Sequence, residues 1–303
     1  MGKTKNPDLA LGPPIKFYNG DITLKFSERD HIYYLVGQDD SLTQVDGVTN
    51  TSGILDKSLY LMPWACKMMA AKLAQTMPRF SDILLGDFSE SIPWDDFVRL
   101  VNEAKSAHKE KFEDAGNVGD AAHKWLEDYI RSEIDRGSDR CSRFYTVPEE
   151  ERAAKCVEAA LGWMSQHNVQ WLKTESKVYS RQYMFAGTMD GLAEVDGELC
   201  IVDWKSSNHL RTEYLYQTAA YQQAIQEEFG DAVAARWILR LGKEDGKFEP
   251  WYEKNFEEDF TAFLLCLQLK RQHKQIERRM AEAKKARTAQ KKLEKSVAKY
   301  YEK

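Results

Sequence analysis

Apolar and polar positions sort most clearly in the second half of the chain. Val178-Tyr179, Met184-Phe185, Leu192 to Val195 and Leu199 to Val202 are short runs of β-branched, aromatic and aliphatic residues, which predict strands. Asp196-Gly197 separates the last two runs and is a strong two-residue hairpin signal. Ala234 to Leu241 and Phe248 to Tyr252 predict two further strands across Gly242-Lys-Glu-Asp-Gly246. Helical spacing covers Arg211 to Phe229 between them, and Pro148 to His167 before them. Toward the N-terminus, Asp21 to Phe26 and His31 to Leu35 alternate as a small hairpin. Helices are expected from about Leu61 to Met77, within Trp94 to Asp114, and from Asn117 to about Ile134, with a loop over Ser138 to Val147. A last helix starts near Phe256 and runs to about Val297. Its Phe260, Phe263, Leu264 and Leu267 are spaced to pack on the body, and beyond Ile276 the apolar stripe thins. These elements divide the chain into a flexible lead (1–15), an N-terminal hairpin and helical cap (16–115), a core (116–269) and a basic helical tail (270–303).

Composition narrows the setting. At 303 residues and 43% hydrophobic, the chain can bury one large core or two modest ones. No apolar run approaches the length of a membrane span, and the first residues lack the apolar stretch of a secretory signal. The five cysteines are scattered and without C-x-x-C spacing, which implies free thiols in a reducing, cytoplasmic compartment and no iron–sulfur cluster. The net charge of −5 is unevenly divided. Residues 270–303 carry 13 Lys and Arg against 4 Asp and Glu, so the rest of the chain stands at about −14. Such asymmetry points to a nucleic-acid-binding arm, although a basic helix kept soluble by its charge has the same composition.

The candidate chemistry lies on the predicted hairpin. Asp203 and Lys205 alternate along a strand and therefore share a face, about 7 Å apart, while Val202 and Trp204 face the other way, toward a core. Asp190 lies on the partner strand, 13 residues earlier. Two carboxylates beside an ammonium can hold a divalent cation and a phosphate together, which is phosphodiester hydrolysis chemistry. Asp203 and Lys205 alone read equally well as a cross-strand ion pair at a strand end. Asp190 and the elements below favour the metal site.

Read in order, Gly119-Asp-Ala-Ala-His123, Gly187-Thr-Met-Asp190-Gly, Asp203-Trp-Lys205-Ser-Ser and Gln217-Thr-Ala-Ala-Tyr221 resemble the PD-(D/E)XK nuclease superfamily, in particular its RecB-like exonuclease branch. Met189 stands where the name motif has proline. The string His31-x-Tyr33, Val45-x-Gly-Val-Thr49 and Leu61-x-x-Trp64 is similar to the opening of phage-type exonucleases and, more loosely, of the mitochondrial genome maintenance exonuclease. The resemblance implies an α/β, restriction-endonuclease-like core: a central mixed sheet flanked by helices, with an N-terminal hairpin and helical cap and a long basic C-terminal helix. It implies one or two Mg²⁺ or Mn²⁺ ions held by Asp190, Asp203 and His123. Lys205 would stabilise charge or orient water, and Gln217 would support it. Ser206, Ser207, Arg211 and Tyr221 become candidates for substrate contact, and Glu175 and Glu127 for support around the metal.

By chemistry alone His123 reads as a half-buried helix histidine paired with Glu127, Tyr221 as packing on the sheet, and the Ser206 to Arg211 turn as a plain helix cap. Trp64 and Trp125 would sit where bases could stack, although buried tryptophans fit the pattern as well. The close cysteine trio that some relatives carry near the C-terminus for a cluster is missing, since only Cys266 lies late. The implied activity is a DNA exonuclease of recombination, repair or replication, of the kind viruses encode. It would work in the cytoplasm (of the host, if viral) with a recombinase or single-strand-binding protein as possible partner. A structure-selective endonuclease and a non-catalytic DNA-binding scaffold are the alternatives.

Overall fold

In the computed structural model, residues 11–55, 57–76, 94–135, 147–230, 232–244 and 247–301 are described, and among them nine strands form one mixed sheet. The N-terminal hairpin grows into an antiparallel meander of β1 (Ile15–Phe17), β2 (Ile22–Ser27), β3 (Ile32–Val36) and β4 (Leu42–Gly47). A second meander, β5 (Val169–Ser180), β6 (Phe185–Val195) and β7 (Glu198–Lys205), turns at Asp196-Gly197 as the sequence predicts. Both residues of that turn have positive φ, 53° and 87°. β8 (Ala235–Leu241) lies parallel to β7, and β9 (Phe248–Glu253) pairs antiparallel outside it.

The strands run β1-β2-β3-β4-β6-β7-β8-β9, with β5 on the far edge of β6. β6 is thus the branch of the sheet. One of its edges is shared between β4, paired only at Phe185 and Ala186, and β7, paired only from Gly191 to Val195. The stretch between, 187–190, has no strand on that edge.

Helices cover both faces. The elements α1 (Val48–Ser52), α2 (Ser58–Thr76), α3 (Trp94–Ala104), α4 (Ala107–Asp135) and α5 (Glu151–Gln166) precede β5; α6 (Thr212–Phe229) links β7 to β8, and α7 (Phe256–Tyr301) ends the chain. On one face Leu126 and Ile130 of α4 and Trp163 of α5 pack with Trp171, Val202 and Trp204 of the sheet. On the other, Ala220 and Ile225 of α6 and Phe263 and Leu267 of α7 pack with Met189, Leu192 and Ile201. Each large apolar side chain buried in this way contributes roughly 1.5–3 kcal/mol. The expected core, a mixed sheet flanked by helices, is what the chain forms.

Several boundaries differ from the sequence reading. α4 begins at Ala107, ten residues before Asn117, and runs through Gly116. A mid-helix glycine costs about 1 kcal/mol, and the buried stripe Val118, Ala122, Leu126 and Ile130 offsets it. β5 is a 12-residue strand whose polar middle, Lys173 to Lys177, hides its period because it pairs along β6. The short strands β1 and β4 have too few apolar residues to stand out. Most of the expected loop at Ser138 to Val147, much of the lead, and Cys141 lie outside the described residues. Among the described residues no helix is long and apolar enough to cross a membrane.

Candidate active site

The site forms where the sheet forks. Past Gly191 and Val202 the β6–β7 ladder stops, and the Asp190 side chain takes over a bond that a strand would otherwise make: Trp204 N donates to Asp190 Oδ2 at 2.9 Å. Met189 and Leu192 join the same core although an odd number of positions separates them, so the strand's alternation slips at Asp190-Gly191. On the other edge, Thr174 and Ser176 pair with Gly191 and Met189, which puts Glu175 opposite Asp190. Glu175 has φ 45°, a left-handed conformation that costs a non-glycine residue about 1–3 kcal/mol and that tends to gather at functional positions.

α4 brings the histidine. His123 Nδ1 lies 3.8 Å from Asp190 Oδ2. Ligand atoms of His123, Glu175 and Asp190 all fall within 4.8 Å of one another. The glycine of the Gly119-x-x-x-His123 motif sits one turn earlier on the same helical face. A Cβ at Gly119 would stand 2.6 Å from Ser206 Oγ, so α4 approaches the end of β7 closely and a side chain there would oblige the Ser206 hydroxyl to turn away.

β7 brings the other pair. Asp203 has no exposed side-chain surface, and Lys205 Nζ folds back to 2.5 Å from its Oδ2. Among the described residues neither Asp203 oxygen receives a well-directed hydrogen bond, an arrangement rare for a buried carboxylate. Burial pushes the Asp203 carboxyl up, and Asp190 adds to this while Lys205 opposes it. For Lys205, burial works against the charged form, but Asp203 and Asp190 outweigh it and the ammonium is held above its ordinary value. Burial, with the charges of Asp190 and Glu127, also pushes the Glu175 carboxyl up to about 7. Two carboxylates and an imidazole therefore meet in a partly buried cluster, with the Asp203 carboxylate beside it.

That donor set fits a divalent cation. It is oxygen-rich, contains no thiolate, and includes the buried Asp203 carboxylate, whose Oδ2 faces the Lys205 ammonium and whose Oδ1 has no hydrogen-bond partner among the described residues. Glu175, expected as a supporting residue, lies inside the cluster of ligand atoms. Asp203 lies outside that cluster, yet close enough to feel the charge of Asp190.

The remaining expected residues divide. Gln217 Nε2 donates to Tyr221 OH at 2.7 Å, so its amide meets Tyr221 rather than Lys205. Tyr221, expected at the substrate, is instead 1% exposed and packs against Gly187 and Val48. It is a buttress because α6 lays that face on the sheet. Ser207 Oγ donates to His209 O at 2.8 Å, and Arg211 is the exposed N-cap residue of α6. Glu127 is paired with Lys124 and Arg131 on the surface of α4 and reaches the site through its charge on Glu175.

Sequence reasoning missed Tyr214, whose ring lies 5.1 Å from Lys205 Nζ. The spacing Tyr214-x-x-Gln217-x-x-x-Tyr221, one face of a helix, was the available signal. It also missed Lys57, at the start of α2, whose 2.9 Å ion pair with Glu213 ties the N-terminal helices to the first turn of α6.

A family model described as PD-(D/E)XK nuclease superfamily matches residues 97–301, about two thirds of the chain. No curated protein matches the chain.

Proposed function

The chain belongs to the PD-(D/E)XK nuclease superfamily, and from that premise we propose that it is a deoxyribonuclease that uses Mg²⁺ or Mn²⁺ and degrades DNA from free ends. The observation that carries this reading is the convergence of His123, Glu175 and Asp190 within 4.8 Å, beside the buried Asp203–Lys205 pair. Nucleases of this superfamily use divalent metals. His123, Glu175, Asp190 and Asp203 are the residues that would hold the cation here. When bound, it supplies an acidified water and a Lewis acid at the phosphoryl oxygen.

The chain's own groups prepare the rest. Lys205 is kept protonated by Asp203 and Asp190, and offers a desolvated positive charge to the negative charge that develops on phosphorus oxygens as water adds and the P–O ester bond breaks. Trp204 N holds Asp190 in one orientation, so little reorganisation accompanies the step. Tyr214 covers the Lys205 ammonium, and the Gln217–Tyr221 pair supports α6 behind it.

Two features favour ends over interior bonds. The order His123, Asp190, Asp203-x-Lys205, Gln217 and Tyr221 resembles the RecB-like exonucleases, whose settings are recombination, repair and replication. In addition, the Lys57–Glu213 pair ties the residue that precedes α2 to the first turn of α6, so an arrangement of the N-terminal helices near the site would suit a need for free ends.

The test uses linear DNA labelled at either end and a covalently closed circle, with Mg²⁺ or Mn²⁺, for wild type and Lys205→Ala. Release of nucleotides or short oligomers from linear DNA only, abolished by the substitution, is the expected result. Cutting of the circle would instead indicate an endonuclease. Absence of metal-dependent cleavage of both substrates would overturn the nuclease reading for this chain.

A further inference from the structure

The last helix outruns the body it packs on. Phe260, Phe263 and Leu267 of α7 are buried, but from Gln275 to Glu294 every residue is exposed. The described helix continues to Tyr301, so about 25 residues, roughly 38 Å at 1.5 Å per residue, lie beyond Ile276.

The point of departure is a built lock. Arg271 Nε lies 2.9 Å from Asp46 Oδ2, and Arg271 donates to Tyr183 O and Met184 O, both at 2.9 Å. Lys274 and Lys270 reach the same carboxylate at 3.3 and 3.6 Å. Three cations thus converge on one Asp, with an excess of positive charge at the fork where β4 meets β6. Met184 immediately precedes β6, and Asp190 follows six residues later, about 20 Å along a strand. α7 therefore leaves the body from the strand that carries a candidate metal ligand.

From the lock outward, one subset of the cations keeps a fixed spacing. Arg271, Arg278, Lys285 and Lys292 follow one another at seven-residue intervals. Positions seven apart drift by only about 20° around a helix, so these four form a nearly straight basic stripe with a repeat of about 10.5 Å. The stripe continues the face that Arg271 turns toward the body. Without residues 270–303 the chain stands at about −14, a charge that by itself repels a polyanion.

We propose that Arg278, Lys285 and Lys292 form a second, non-catalytic DNA contact, a sequence-independent rail that holds the phosphate backbone of the duplex or strand leading away from the site. The assignment rests on the nuclease reading for its substrate. Its charge complementarity and its origin at β6 come from the arrangement of α7 itself. The strand and helix segments between Asp190 and Lys292 add up to at most roughly 50 Å, or about 15 nucleotides at 3.4 Å each, so the full rail is engaged by long DNA and not by short fragments.

The experiment compares the full chain, a stripe variant (Arg278→Gln, Lys285→Gln, Lys292→Gln) and a charge-matched variant on other faces of α7 (Arg279→Gln, Arg287→Gln, Lys291→Gln). Anisotropy of a labelled 40-base-pair duplex is followed in EDTA across a salt series. Each lost phosphate contact lowers the log–log salt slope by about 0.9. The expected result is a slope smaller by 2 to 3 (about 0.9 per contact) and affinity on the order of tenfold weaker for the stripe variant, with much smaller changes for the matched variant. With metal, the stripe variant should cleave an 8-base-pair duplex at the wild-type rate and a long duplex more slowly. An unchanged salt slope, or equal losses in the two variants, would overturn the rail. Failure of wild type to cleave any DNA with metal would remove the nuclease reading instead, and the EDTA binding data would still judge the rail.

Discussion

Gly187→Ala adds one methyl group at the point where the sheet, α1 and α6 meet. The new Cβ would lie 2.6 Å from Tyr221 Cε1 and 3.1 and 3.2 Å from Val48 Cγ2 and Cβ. Real Cβ contacts of 2.6 Å essentially do not occur. Tyr221 is a rigid ring, 1% exposed, held by Gln217, and Val48 is fully buried, so neither can swing into solvent. Overpacking of this kind costs about 1–3 kcal/mol, and the relief of replacing a strand glycine is worth roughly 0.5–1 kcal/mol in the opposite direction. The net expectation is a loss of about 1–2 kcal/mol. At roughly 2–4 °C per kcal/mol for a chain of this size, thermal unfolding should shift down by several degrees. Urea unfolding should show a lower midpoint with an unchanged slope. Tyr221→Leu, which removes the ring atom in conflict, should make the second substitution cheaper in the double variant than in the wild-type background. If Gly187→Ala is as stable as wild type, the close packing of α6 on β6 described above is wrong.

Other consequences can be measured separately. Lys205→Ala should lower the cleavage rate by at least about 100-fold, the scale of losing one electrostatic stabiliser; steady-state rates with Mn²⁺ would test it, and a loss under tenfold would exclude the role given to Lys205. Asp190→Asn keeps an oxygen to accept from Trp204 N, so the metal-free fold should persist, while the stabilisation by Mn²⁺ disappears. That stabilisation is about 2.7 kcal/mol at a hundredfold excess over Kd, and melting with and without EDTA would detect it. Burial raises the Asp46 carboxyl, but its hydrogen bond with Arg271 and the charges of Lys270 and Lys274 prevail, and the net effect lowers it below 3.8. A lowered folded value contributes stability that is present above 3.8 and is lost as pH falls through the folded value. Acid unfolding of Asp46→Asn should therefore lose that part of its pH dependence below about pH 4, and an unchanged acid limb would refute the lock on α7.

Much of this molecule was legible in local pattern. The Asp196-Gly197 turn, the strands around it, and the alternation that sets Asp203 with Lys205 follow from residue period and turn chemistry, which act between neighbours. The motif from Gly187 to Asp190 and the Asp203-x-Lys205 pair marked the candidate site for the same reason. Other features depended on groups that meet across distance. Glu175 joins His123 and Asp190 because β5 pairs in one register and takes a left-handed step at that residue. Tyr221 turned from a candidate substrate contact into a buried buttress because α6 packs it on Gly187. The reach of α7 as a protruding arm depends on Asp46, more than 200 residues earlier, where the chain ties the helix to the fork of the sheet. Sequence alone determined most of the strands, the turn and the residues capable of metal chemistry, because these arise from short-range sterics and side-chain type. Tertiary structure decided which of them cluster, because burial, register and close packing are properties of pairs of segments far apart in the chain.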